Sequence, residues 1–326
     1  MKGSYHIKIE TKKVKYEFKI NRNITIIQGD SATGKTTLIK CVDDFYNEGK
    51  SSGVKIECKK TCVVLRGKNW LNDLNVMKDS IVFIDEGNKF IKSRDFAEAI
   101  KHTDNYYVLV TRESIDALPY SVHEIYGLRV NGKIKTGEPT YNEMYRIYGK
   151  YNTDKEINPD VIITEDKNSG FQFFENVCTP LNIDCISAEG KANIKKYIKS
   201  DYQDKKVVII ADGAAYGPQI NETMEYLEEF PNYVIYLPES FEWIILKAEI
   251  IRSDVLKKIL EEPSVYIDST QYFSWEQYFT NLLERLTTDH EIIPKYNKSK
   301  LPGFYKSHGN SEKILKQLDS IKLKRK

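Results

Sequence analysis

Eight consecutive residues, Gly29-Asp30-Ser31-Ala32-Thr33-Gly34-Lys35-Thr36, follow the pattern G-x-x-x-x-G-K-[ST]. The spacing suits one task. A glycine-rich turn lets successive backbone N–H groups wrap phosphate oxygens, and the positive end of a following helix adds to the attraction. The Lys35 ammonium would lie against the β- and γ-phosphates of a nucleoside triphosphate and the Thr36 hydroxyl against Mg²⁺. Thr37 completes the candidate nucleotide-binding set. A plainer reading, a glycine-rich turn with an exposed lysine, must account for strand, loop and helix occurring together.

Two strand ends could finish the chemistry. Val82-Phe83-Ile84-Asp85-Glu86 closes an apolar run with two acids. Asp85 is placed to hold the Mg²⁺ shell, and Glu86 to orient or deprotonate an attacking water. Acids often end strands, but this pair follows Lys35 by about 50 residues at the end of a convincing buried strand. The next apolar run ends in Thr111-Arg112, where an arginine could report nucleotide state or simply be solvated. Lys35, Glu86 and Arg112 are the candidate catalytic residues of this half, and Thr36 and Asp85 its candidate metal ligands.

A second group of acids lies further along. Glu165 and Asp166 follow the apolar run Val161-Ile162-Ile163-Thr164, and Asp212 follows Val207-Val208-Ile209-Ile210-Ala211. Strand C-termini line the functional crevice of a parallel sheet. Carboxylates converging there suit Mg²⁺, which takes one or two carboxylates plus water and phosphate oxygens. Glu165, Asp166 and Asp212 are the candidate metal ligands, with Glu165 and Asp212 also candidate catalytic residues. Simple solvation of strand ends is the commoner alternative.

These positions need a frame. Alternation over 5–10 and 14–20 predicts a hairpin, and apolar runs predict strands over 23–27, 62–65, 80–84 and 106–110, with helices over 35–42 and 94–101. Buried strands separated by helices predict a parallel sheet covered on both faces. Residues 127–159 are punctuated by Gly127, Gly132, Gly137, Pro139, Gly149 and Pro159, and Asn131-Gly132 could turn a hairpin. A domain boundary is expected near 150–158. Strands are then predicted over 161–164, 183–187, 207–211, 234–237 and 265–267, and helices over 190–199, 219–229 and 271–286. The aromatic stripe Tyr272, Phe273, Trp275, Tyr278 and Phe279 reads as core. The expected fold class is α/β, with one α/β domain over 1–150 and a second over 151–326 that ends in a helical extension and a basic tail.

Over about residues 5–130 these motifs resemble the P-loop ATPases. The Asp85-Glu86 pair and the N-terminal hairpin are similar to the AAA and ABC-type ATPases rather than to GTPases, whose guanine-reading Asn-Lys-x-Asp is absent. No Leu-Ser-Gly-Gly-Gln signature occurs, and only about 45 residues separate the two Walker motifs. The resemblance implies ATP as ligand and a homo-oligomer in which a neighbour supplies an arginine finger. Residues 158–240 resemble the Toprim domain of topoisomerases, primases and OLD-family nucleases. Glu165 matches its glutamate, Asp212 the first Asp of Asp-x-Asp, and Gly190-Lys191 a Gly-Lys of the OLD branch. The second Asp is Ala214 here, the expected glycine is Asp166, and Ser169 and Gly170 stand where a further acid would be. Asp166, Glu239 or Glu242 could compensate. The pairing resembles OLD-family nucleases and bacterial anti-phage systems, which implies an ATPase controlling a Mg²⁺-dependent nuclease that acts on nucleic acid in phage defence or a mobile element. The alternative is ATP-dependent assembly or sensing, with a degenerate Toprim-like domain as a binding surface for nucleic acid or a protein partner. A small-molecule kinase fits less well, because Asp85-Glu86 suits activation of water.

Composition adds bounds. The 326 residues carry a net charge of +2, with 40% hydrophobic and 29% charged residues, as in soluble globular proteins. The five cysteines, Cys41, Cys58, Cys62, Cys178 and Cys185, are odd in number and irregularly spaced, and read as reduced thiols. No signal-peptide h-region or long apolar run is present, so a cytoplasmic protein without a membrane anchor is expected. Lys322, Lys324, Arg325 and Lys326 close the sequence as a short basic tail.

Overall fold

Runs rich in β-branched and aromatic residues become the strands of the first sheet. β1 (Tyr5–Glu10), β2 (Val14–Ile20), β3 (Ile24–Ile27), β4 (Lys55–Glu57), β5 (Thr61–Val64), β6 (Ser80–Ile84), β7 (Tyr106–Val110), β8 (Ile125–Val130) and β9 (Thr140–Arg146) form one sheet. Its order is β4-β1-β2-β9-β8-β3-β7-β6-β5. The computed structural model describes residues 1–29, 33–131, 139–148, 156–198, 202, 204–318 and 321–324.

From β5 to β8 the sheet is parallel. Every residue of β3, β6 and β7 is buried, as strands covered on both faces must be. The expected hairpin is the antiparallel pair β1–β2. A second hairpin pairs β8 with β9, and β9 runs parallel to β2. The proposed turn residue Gly132, with Gly137 and Gly149, lies outside the described residues.

Two topological facts place the chemistry. The chain leaves β3 through the helix Lys35–Glu48, adds β4 at one edge of the sheet and β5 at the other, and later sets β7 and β8 on either side of β3, so β3 ends where connections diverge. β7 is inserted between β3 and β6. The tip of β7, with Thr111-Arg112, therefore separates the phosphate loop from Asp85-Glu86. Leu38 and Val42 of the helix are fully buried in a core that includes Ile7, Ile9, Phe83 and Val108, which anchors the helix against the sheet.

A second sheet contains β10 (Val161–Thr164), β11 (Asp184–Ser187), β12 (Val207–Ile210) and β13 (Tyr233–Tyr236). All pairs are parallel, in the order β11-β10-β12-β13. The chain leaves β10 to one side for β11 and returns to the other for β12. Their C-terminal ends, bearing Glu165 and Asp212, flank the point where a crevice opens.

The chain divides into two compact α/β units, Met1–Gly149 with Glu262–Phe273 and Lys150–Glu261 with Ser274–Lys326. The segment Glu262–Phe273, placed in the second domain by the sequence reading, thus belongs to the first unit. Within it the strand expected over 265–267 is a helical turn, Pro263–Tyr266, because Pro263 presets the first helical position. The helix expected over 271–286 is Trp275–Thr288. Ser274 starts it by accepting a hydrogen bond from the Gln277 N–H at 3.4 Å, which leaves Tyr272 and Phe273 outside. The helix expected over 190–199 is a 3-10 turn, Lys191–Asn193, and a short helix, Ile194–Ile198, after positive φ at Glu189 and Gly190. Lys199, Arg325 and Lys326 lie outside the described residues.

Candidate functional site

In the first unit the candidate phosphate loop meets its helix at Gly34. Its φ of 95° lies in the left-handed region, and it opens the helix Lys35–Glu48 with no side-chain cap. A Cβ there would meet the Tyr16 hydroxyl at 3.0 Å and Asn142 Oδ1 at 3.2 Å. Tyr16 donates to the Gly34 carbonyl at 2.8 Å. Burial holds its phenol above the ordinary value, so it stays a neutral donor. Strands β2 and β9 thereby brace the loop. Lys35 is only 5% exposed, and its ammonium donates to the Gly29 carbonyl at 2.6 Å and Thr33 Oγ1 at 3.0 Å. Asp30, Ser31 and Ala32 lie outside the described residues.

Thr33, Gly34, Lys35, Thr36, Thr37, Glu86 and Arg112 line an open cleft of about 340 Å³, a size that suits a small ligand. Arg112 grips Glu86 with both ends of its fork, Nε to Oε2 at 3.0 Å and Nη2 to Oε1 at 2.9 Å. Asp85 does not line this cleft. Its Oδ1 accepts the Glu86 N–H at 2.8 Å and so shapes the strand end. The uncapped helix start, the buried ammonium and the left-handed glycine suit a triphosphate, and Thr36 lines the same cleft.

In the second unit Glu165, Asp166 and Asp212 line one crevice with Ser169, Glu242 and Lys298. The crevice is small, about 30 Å³, room for one water or one monatomic ion. Glu165 Oε2 accepts the Asp212 N–H at 3.1 Å. Asp212 Oδ1 accepts the Phe241 N–H at 3.2 Å. Burial pushes the Glu165 carboxyl up to about 7, and burial followed by the nearby Glu276, Glu165 and Glu242 raises that of Asp212.

The expected Mg²⁺ set does not assemble here. Among the described residues no group of three or more His, Cys, Asp and Glu is arranged to hold a metal ion. Asp166 turns back on its own loop, accepting the Asn168 N–H at 2.9 Å and Asn168 Nδ2 at 2.6 Å. Ala214, where the second Asp would stand, is 2% exposed, and its N–H donates to the Glu239 carbonyl at 3.2 Å. Gly213 beside it approaches that chain so closely that a Cβ would meet the Leu237 and Pro238 carbonyls at 2.7 and 2.8 Å. Lys191 of the Gly-Lys pair reaches the turn before the helix Gly217–Glu229 and donates to the Ala215 carbonyl at 2.8 Å.

The sequence reading missed Lys298, Glu276 and Tyr296. Lys298 donates to Glu276 at 2.8 Å and lies 3.9 Å from Glu242. Tyr296 donates to Glu242 Oε1 at 2.7 Å and shares a 2.5 Å hydrogen bond with Ser169 Oγ. No local pattern marks them, since they come from about 65–135 residues beyond the strands whose ends form the crevice. Tyr16 had a signal, a polar tip in the inward row of an alternating strand. Among the described residues no helix is long and apolar enough to cross a membrane. Comparison of the chain with protein-family models and with curated proteins gave no match.

Proposed function

We propose that the first unit binds ATP and hydrolyses it. The observation that carries this is the convergence of the left-handed Gly34, the buried Lys35 ammonium and the Glu86–Arg112 pair on one cleft. In this reading the loop from Gly29 to Thr37 holds the phosphates by backbone N–H groups and Lys35. Thr36 would hold Mg²⁺, which when bound would neutralise phosphate charge, while Asp85, outside the cleft, shapes the strand end that carries Glu86. Glu86 orients the attacking water, and Arg112 meets charge that develops on the transferred group. Calorimetric titration with ATP and Mg²⁺ tests this, with phosphate release measured alongside. Wild type binds and turns over, and Lys35→Ala loses binding. Absence of ATP uptake by folded wild type would refute the proposal.

For the second unit, binding is the better supported of two readings. A nuclease would need carboxylates that share an ion, whereas Asp166 is spent on its own turn and Ala214 cannot contribute. The unit then serves as an interaction module for nucleic acid or a protein partner, under control of the ATPase. Incubation with plasmid, single-stranded DNA and RNA in Mg²⁺ or Mn²⁺ separates the readings. Cleavage lost in both Glu165→Ala and Asp212→Ala would restore the nuclease.

A further inference from the structure

The acid crevice of the second unit carries its own cation. Glu165, Asp212 and Glu242 line it, and Lys298 enters between Glu242 and Glu276. Burial works against the Lys298 ammonium, yet Glu242, Glu276 and Asp212 outweigh it and keep the ammonium charged. Glu242 is 1% exposed, and its Oε2 has no hydrogen-bond partner among the described residues. A buried carboxylate oxygen of this kind is costly unless a positive charge lies close by. Lys298 supplies one, 3.9 Å from the other oxygen, Oε1.

The segment that delivers Lys298 is seated as firmly as the ammonium. The Lys298 carbonyl accepts the Ser169 N–H at 2.8 Å, at the start of the helix Ser169–Cys178. Gln172 clamps the next residues, donating to the Ser299 carbonyl at 2.8 Å and accepting the Leu301 N–H at 2.9 Å. Tyr296 and Leu301 are buried on either side. The chain thus supplies, at one place, a cation for the acids and an oxygen for the helix N-terminus. Those are the two things that a metal-bound phosphate would bring.

We propose that Lys298 is the resident cation of this crevice, a tethered ammonium that excludes divalent ions and closes the site to phosphodiester chemistry. The proposal deepens the binding reading of the second unit and is independent of ATP turnover in the first. It predicts a latent divalent site: without the ammonium, Asp212 and Glu242 lose their cation and must take up protons or a metal ion, and Mn²⁺ can draw together carboxylates that are not arranged around an ion in this structure.

The test is Mn²⁺ binding, read by loss of the free-ion electron paramagnetic resonance signal, without nucleotide. Wild type shows no Mn²⁺ site that Asp212→Asn removes. Lys298→Met, which keeps the aliphatic stem, gains one site and at least a tenfold rise in Mn²⁺ affinity. Adding Asp212→Asn abolishes the gain, and Lys298→Arg, which keeps a cation, shows none. An Asp212-dependent site in wild type would overturn the proposal, and this holds even if Lys298→Met does not fold. So would a folded Lys298→Met that binds no more Mn²⁺ than wild type. Plasmid cleavage by wild type that persists in Asp212→Asn would sink the binding reading while upholding the Lys298 assignment, whereas cleavage lost in Asp212→Asn would overturn both.

Discussion

Replacing Arg112 by alanine separates two roles by size of effect. Arg112 and Glu86 form a two-point ion pair, but their side chains are 53% and 33% exposed. An ion pair this wet contributes about 0.2–1 kcal/mol, a factor of at most about five in an equilibrium or a rate. If Arg112 only restrained Glu86, its loss would free the carboxylate and raise turnover by no more than about fivefold. If Arg112 meets charge developing on the transferred phosphate, its loss removes a transition-state contact of the kind that costs about 10²–10³ in turnover. The insertion of β7 between β3 and β6 sets Arg112 beside the loop that follows β3, so under the proposed ATPase reading the second outcome is expected. Phosphate release at saturating ATP and Mg²⁺ gives kcat, and titration with a fluorescent ATP analogue gives affinity. A fall of at least about 100-fold in kcat with affinity within a few-fold fits the assignment. A kcat within fivefold of wild type, in either direction, would refute it.

Three further outcomes follow from the geometry. Glu86→Gln keeps nucleotide binding but lowers turnover by about 10²–10⁴-fold in the same phosphate assay, the usual worth of a positioned general base. Gly213→Ala forces a methyl against the Leu237 and Pro238 carbonyls, and urea denaturation followed by Trp243 fluorescence should show a loss of about 1–3 kcal/mol. The Glu165 carboxyl is raised from 4.5 to about 7, so the folded chain holds a proton that the unfolded chain releases between those values. Its stabilising contribution is complete below 4.5 and declines as pH rises through about 7. Denaturation midpoints at pH 5 and 7.5 should therefore differ less in Glu165→Gln than in wild type, by up to about 3 kcal/mol when converted.

How much of this was legible in the sequence depends on how local each signal is. The phosphate loop, its strand and its helix were readable because one contiguous stretch supplies turn, donors and helix start. Asp85 and Glu86 were readable as the end of a run of apolar residues, but their separation by β7 was not, since strand order is settled by packing. The run Val265-Tyr266-Ile267 looked like a strand until Pro263 set a helical turn before it. In the second unit the acids at both strand tips were visible, yet their shared cation was not. Lys298 is an ordinary lysine by sequence, and only the fold brings it to Glu242 and Glu276.

The stretch Glu262–Phe273 also governs how the molecule is made. The Gly3 N–H donates to the Ser264 carbonyl at 2.7 Å, the Ser269 N–H to the Met1 carbonyl at 3.0 Å, and Asn23 Nδ2 to the Phe273 carbonyl at 3.0 Å. During synthesis these early residues wait for a late one. At about 5–20 residues per second the delay is on the order of ten seconds. A gene fragment that stops near residue 149 would leave the first unit short of the piece that finishes it, so dissection by truncation needs a circular permutation or a co-expressed peptide spanning 262–273.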